Sequence, residues 1–104
     1  MPADNISKIL EKIEGFDWNK GNIDKNWQKH KVSSKEAEEI FLNKPLILFE
    51  DEKHSTKKEK RYGVFGRAKN KKRLTVIFTV RSKKIRIISA RKMSRKERKS
   101  YEQK

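Results

Sequence analysis

Residues 74–91 read LTVIFTVRSKKIRIISAR, and this stretch decides the fold class. It is rich in β-branched and aromatic side chains, and its first half alternates with the two-residue period of a strand. Leu74, Val76, Phe78 and Val80 fall on one face, and Thr75, Ile77, Thr79 and Arg81 on the other, more polar one. Leu74–Arg81 is therefore a strand with one face in a core. In Ile85–Arg91 the alternation is less clean. Ile85, Ile87 and Ser89 alternate with Arg86, Ile88 and Ala90, so both faces are partly apolar. The few polar residues between the two runs, among them Ser82, suit an antiparallel connection rather than a crossover.

Working outward, Leu46–Glu50 and Arg61–Arg67 have the same strand character, which gives a four-stranded antiparallel meander. The period changes before Leu46. Ile6, Ile9, Leu10 and Ile13 recur at helical spacing, with Asp4 or Asn5 as cap and Gly15 as terminator. Phe16, Asp17, Trp18 and Asn19 form an aromatic connector, and a second helix runs from about Asn22 to His30. Ser33 and Glu36 make a capping box for a third, whose apolar face continues through Ala37, Ile40 and Phe41 until Asn43 and Pro45 stop it. Ser94 and Glu97 make another for a helix from Arg95 to about Glu102. The order is ααα-ββββ-α. The expectation is an α+β domain with N-terminal helices packed on one face of the four-stranded antiparallel sheet, a C-terminal helix after it, and the other face left for solvent or ligand.

The charge is lopsided. The 104 residues carry a net +15, yet residues 1–52 sum to −3 and residues 53–104 to +18. A surface of that kind is the electrostatic footprint of a phosphate partner, although single runs such as Lys69, Lys71, Lys72 and Arg73 are individually most often solvated turns, and the aggregate is stronger than its parts. Leu, Ile, Val and Phe make up 24 residues, enough for one small core and no more. The absence of cysteine excludes disulfides, thiol nucleophiles and thiolate metal sites. No apolar run reaches the roughly 20 residues of a membrane span, and no secretory signal is evident. A cytoplasmic protein with no membrane association is expected.

RNA cleavage without metal or cofactor needs a base for the 2′-hydroxyl, cations around the phosphorane and an acid for the leaving oxygen. Arginine suits the second task, because its guanidinium forks onto two oxygens and stays charged. Arg61, Arg67, Arg81, Arg86 and Arg91 lie in or at the ends of strands, where each also reads as an exposed cation guarding a sheet edge. The two histidines are the side chains whose chemistry suits proton transfer near neutral pH. His54, in the turn Asp51–Ser55, is the preferred acid or base; His30 with Lys29 is a secondary pair, and a helix-end capping role suits that histidine as well. Glu59 reads as a salt-bridge partner or base. Tyr101 reads as a base-stacking side chain or as cover for the sheet rim. No nucleotide-binding glycine loop, zinc spacing or nucleophile elbow is present.

From Phe16 to about Glu102 the chain resembles the BrnT family of bacterial type II toxins. The resemblance rests on Phe16-Asp17-Trp18; Asn26, Lys29, His30, Val32 and Ser33; Glu36 and Ala37; His54-Ser55; Glu59, Arg61, Gly66 and Arg67; Thr79 and Arg81; the strand Ile85–Arg91; and Arg95, Glu97, Arg98, Tyr101 and Glu102. It departs from the family pattern at Asn19, Asn22 and Lys31, and residues 1–15 stand outside it as a helical extension of the single toxin domain. The resemblance implies a compact fold similar to RelE and ParE toxins, ribonuclease activity that inhibits translation, and neutralisation by a BrnA-type antitoxin whose ribbon-helix-helix domain binds promoter DNA. RNA, free or on the ribosome, and the antitoxin in a hetero-oligomer are the implied partners. Together these readings assign cleavage to His54, Arg67, Arg81 and Arg91, and RNA binding to Arg61, Arg86, Lys29, His30 and Tyr101. Competing readings are a non-catalytic basic module that holds nucleic acid or a ribosome, and a gyrase-directed inhibitor.

Overall fold

A computed structural model describes residues 8, 10–43 and 46–102, with His54 described by its backbone alone. Its centre is a five-stranded mixed sheet of order β1-β5-β4-β3-β2. The strands are β1 (Gly15–Phe16), β2 (Ile47–Glu50), β3 (Tyr62–Arg67), β4 (Arg73–Arg81) and β5 (Lys84–Lys92). Helices α1 (Lys20–His30) and α2 (Ser34–Glu39) precede β2, and α3 (Arg95–Glu102) follows β5.

The four expected strands form the antiparallel meander, and the fifth corrects the sequence reading. Gly15–Phe16 pairs parallel to β5 at Lys84 and Ile85, where a helix stop and a connector are expected. Two residues carry no readable periodicity. Their conformation is set by the β5 edge, where the Asp17 amide donates to the Ile85 carbonyl at 2.8 Å. Of the expected first helix, Lys8, Leu10 and Glu11 are helical, and Leu10 and Ile13 pack against the core; Asp4, Asn5, Ile6 and Ile9 lie outside the described residues, as does Pro45.

Capping explains the remaining helix boundaries. α1 begins two residues before the expected Asn22, because the Asn19 side chain accepts from the Gly21 amide at 2.8 Å. It ends at Lys31, which takes the left-handed conformation (φ 55°) that favours glycine. The capping boxes at Ser33/Glu36 and Ser94/Glu97 are both formed. α2 stops at Glu39, short of the expected Phe41, because the Phe41 and Leu42 amides turn back onto the Glu38 and Glu39 carbonyls three residues earlier.

One face of the sheet is the core. Leu74, Val76 and Phe78 are fully buried with Val64, Ile87 and Ala90, under Val32, Ala37 and Ile40 from the helical layer. Phe16, Phe41, Phe78 and Tyr62 continue it as a chain of ring contacts 5.2–5.8 Å apart. β5 resolves its own ambiguous alternation with a register shift. Ile77 pairs with Ser89 while Phe78 pairs with Ile87, so Ile88 is an extra residue. Parity therefore reverses within the strand. Ile85, Ile87 and Ala90 are buried in the core, and Ile88, Ser89 and Arg91 line the opposite, open face.

Candidate nucleic-acid interface on the open face of the sheet

Strand parity gathers the arginines. With Leu74, Val76 and Phe78 in the core, β4 turns Arg73, Thr75, Ile77, Thr79 and Arg81 to the other face, and β3, with Val64 in the core, does the same for Gly63, Phe65 and Arg67. A cavity of about 370 Å³ opens there. Phe49, Ile77, Ile88 and Ser89 line it together with Asp51 and Arg61 from the loop side and Thr75, Arg91 and Glu97 from the helix side. Gly63 permits this shape, since a Cβ at that position would lie 2.0 Å from the Phe49 ring.

The Arg61 side is built by a loop whose polar groups bind one another. The Ser55 hydroxyl donates to the Asp51 carbonyl at 2.7 Å and accepts from the Arg61 amide at 2.9 Å. Thr56 and Glu59 pair, and the Thr79 hydroxyl donates to the Lys60 carbonyl at 2.7 Å. Glu59 joins two arginines: Arg81 donates to it from Nη2 at 2.8 Å and Arg61 from Nε at 3.0 Å. Those bonds, Arg81's first, hold its carboxyl below the ordinary glutamate value. Arg61 is held by Glu59 through Nε, a bond that does not use its Nη groups.

Across the cavity, Arg91 donates to Glu97 through both Nη groups, at 2.7 and 2.9 Å. Glu97 also accepts from the Thr75 hydroxyl at 3.1 Å and the Ser94 amide at 2.9 Å. The Arg91 pair outweighs partial burial and lowers the Glu97 pKa to about 2, while raising that of Arg91. One carboxylate thereby pins β5, β4 and the first turn of α3 together.

Of the residues singled out in the sequence, Arg61 and Arg91 meet at the cavity, and Arg81 joins Arg61 through Glu59. The others lie elsewhere. Arg67 is at the end of β3 near Tyr101, which is 4% exposed and whose phenol is pushed up by burial against the pull of Arg67 and Arg73. α3 is fixed over this end by an Arg73–Glu102 ion pair. Arg86 is paired with Asp17 at 3.4 Å beside β1. Lys29 and His30 occupy the last turn of α1, and neither lines the cavity. The backbone of His54 closes a 3₁₀ turn (Glu52–His54) beside Ser55; its side chain lies outside the description.

The sequence reading missed the Glu97 anchor beyond its capping role, and it missed the Phe49–Ile77–Ile88 surface. The adjacent Ile87 and Ile88 were the available signal, because two consecutive apolar residues break a two-residue period at a bulge.

Among the described residues no helix is long and apolar enough to cross a membrane. No curated protein matches the chain. Residues 18–97 match the family model described as a ribonuclease toxin, BrnT, of type II toxin-antitoxin systems, a span that contains the cavity and every arginine around it. The chain belongs to the BrnT family, whose members are ribonuclease toxins with RNA as substrate and an antitoxin as partner.

Proposed function

We propose that the protein is a metal-independent endoribonuclease that cuts RNA on the open face of the sheet and thereby inhibits translation. The observation that carries this reading is the placement of Arg61, from the loop before β3, and Arg91, from β5, on one cavity with an apolar floor. A single-stranded segment would lay a base on Phe49, Ile77 and Ile88 while the two guanidinium groups bracket its phosphate. Arg81 and Arg67 extend the cationic track on either side, and Arg86, Lys29 and His30 are more distant contacts along the RNA, whereas the buried Tyr101 covers the sheet rim.

In the proposed reaction the 2′-oxygen loses its proton to a base, bonds to phosphorus and displaces the 5′-oxygen, which leaves with a proton. The products are a 2′,3′-cyclic phosphate and a 5′-hydroxyl. Arg61 and Arg91 stabilise the extra charge on the phosphorane. His54 is the proposed proton carrier, since the Ser55 hydroxyl ties its turn to the Arg61 backbone. Incubation of RNA with the purified protein in excess chelator should yield cyclic-phosphate ends, and intact RNA that nevertheless binds would overturn cleavage in favour of a basic binding module.

A BrnA-type ribbon-helix-helix antitoxin that covers the cationic face is the proposed partner, with promoter DNA bound only through it. Charge complementarity to residues 53–104 motivates this. Light scattering should show a hetero-oligomer with an antitoxin dimer at its centre, and particles holding one toxin each would contradict it.

A further inference from the structure

We propose that Asn26 of α1 is a positioning residue for Arg91: it holds the bulge that turns Arg91 from the covered face of the sheet to the open one. The inference rests on the reading of Arg91 as an RNA contact. Its basis is a break in the hydrogen-bond direction along β5. The outer edge of this strand runs past β1 and α1. The Ile85 carbonyl points outward to the Asp17 amide, and the Ile87 carbonyl points outward to the Asn22 side-chain amide at 3.3 Å. A strand of unbroken period would next turn residue 89 outward. Instead the Ala90 amide points outward, and it donates to the Asn26 side-chain oxygen at 3.2 Å.

Asn22 and Asn26, one helical turn apart, therefore grip β5 on either side of the extra residue Ile88. Only the Asn26 bond requires the bulge. With an unbroken period the Ala90 amide would face β4, Asn26 would lose its donor, and Arg91 and Ser89 would join Ile85 and Ile87 on the covered face. Asn26 is 3% exposed, and its Nδ2 has no hydrogen-bond partner among the described residues. A buried asparagine with an idle donor is costly for packing alone, so its acceptor has a specific task.

The test uses the full chain with Asn26→Ala, Asn22→Ala, Arg91→Ala and the double variant Asn26→Ala/Arg91→Ala, read by RNA cleavage, RNA affinity, thermal unfolding and exchange of the Ala90 amide. Asn26→Ala should lose as much cleavage as Arg91→Ala, and the double variant should lose no more than about 2-fold beyond either single change. Asn22→Ala should cost comparable stability and leave cleavage within about 2-fold of the parent, because it holds the strand ahead of the bulge. Asn26→Asp keeps the acceptor and should retain cleavage and protection of the Ala90 amide. Multiplying losses in the double variant, or equal cleavage defects in Asn22→Ala and Asn26→Ala, would overturn the proposal. Should Asn26→Ala not fold, a folded Asn26→Asp protein as defective as Arg91→Ala overturns it, and a fully active one supports it. If Arg91→Ala itself cleaves normally, the reading of the site fails; the Asn26 claim then stands on Ala90 exchange, which must accelerate in Asn26→Ala and stay slow in Asn22→Ala.

Discussion

Glu59 and Glu97 sit at opposite corners of the open face, and each holds arginine, yet they do different work. Glu59 joins two guanidinium groups at the rim where the loop meets β4, and it engages Arg61 through Nε, a bond that does not use the Nη groups. Glu97 takes both Nη groups of one arginine, together with a threonine hydroxyl and a backbone amide, and so fixes three elements to one another. The lesson is that an ion pair's role follows from its geometry more than from its charges. The Glu59 corner presents a cation, whereas the Glu97 corner sets the place and angle of another.

The largest expected effect is on chemistry at both corners at once. Arg61→Ala and Arg91→Ala should each lower kcat/KM for RNA by about 10- to 100-fold, the loss expected for a charge-assisted hydrogen bond worth about 1.5–3 kcal/mol. Arg86→Ala, whose partner is Asp17 and which does not line the cavity, should lose far less. Cleavage assays on one RNA decide this ordering, and an Arg86 defect equal to that of Arg91 would dissolve it.

Stability should separate the corners next. Glu97→Ala leaves Arg91, Thr75 and the Ser94 amide without their acceptor, and should cost about 1–3 kcal/mol in denaturant unfolding. Glu59→Ala breaks rim contacts and should cost less than about 1 kcal/mol. Reversal of that order would show that the Glu97 pin is not structural.

Acid should act through the same contrast. Glu97 has a folded pKa of about 2 against an ordinary 4.5, so its contribution is present above pH 4.5 and is lost as pH falls toward 2. Glu36 behaves alike: burial raises its pKa, but bonds from Lys72, Ser33 and Asn70 outweigh this and bring it to about 2. Unfolding free energy measured between pH 5 and 2 should fall, and Glu97→Gln should flatten part of that slope.

The smallest effects lie away from both corners, at left-handed backbone positions. The β4–β5 hairpin turns on Ser82 and Lys83, both with positive φ (50° and 64°), a conformation that favours asparagine and glycine. Lys83→Gly and Lys31→Gly should each stabilise the protein by about 0.5–1 kcal/mol while leaving cleavage unchanged.

The same features explain what the sequence made legible. The alternation in Leu74–Arg81 placed the core on one face and the arginines on the other, and the two Ser-x-x-Glu boxes marked two helix starts, because these are local rules with a fixed period. β1 and the bulge were not legible in that way. β1 is a strand only because β5 offers it an edge, and the parity switch at Ile88 is met on the outer edge of β5 by the side chain of Asn26, 64 residues before Ala90. Strand-end arginines could be named but not grouped. Which of them meet is decided by Glu59 and Glu97, and charge counting is blind to partners.

The central claim is that Arg61 and Arg91 grip one phosphate. Binding an oligoribonucleotide with a single 2′-deoxy position at the cleaved step, and following the Arg61 and Arg91 side-chain signals by NMR, tests it most directly. Both guanidinium groups should shift together with one Kd, and Arg91→Ala should abolish the Arg61 shift at the same RNA concentration. Movement of Arg61 that is indifferent to the loss of Arg91 would contradict the account.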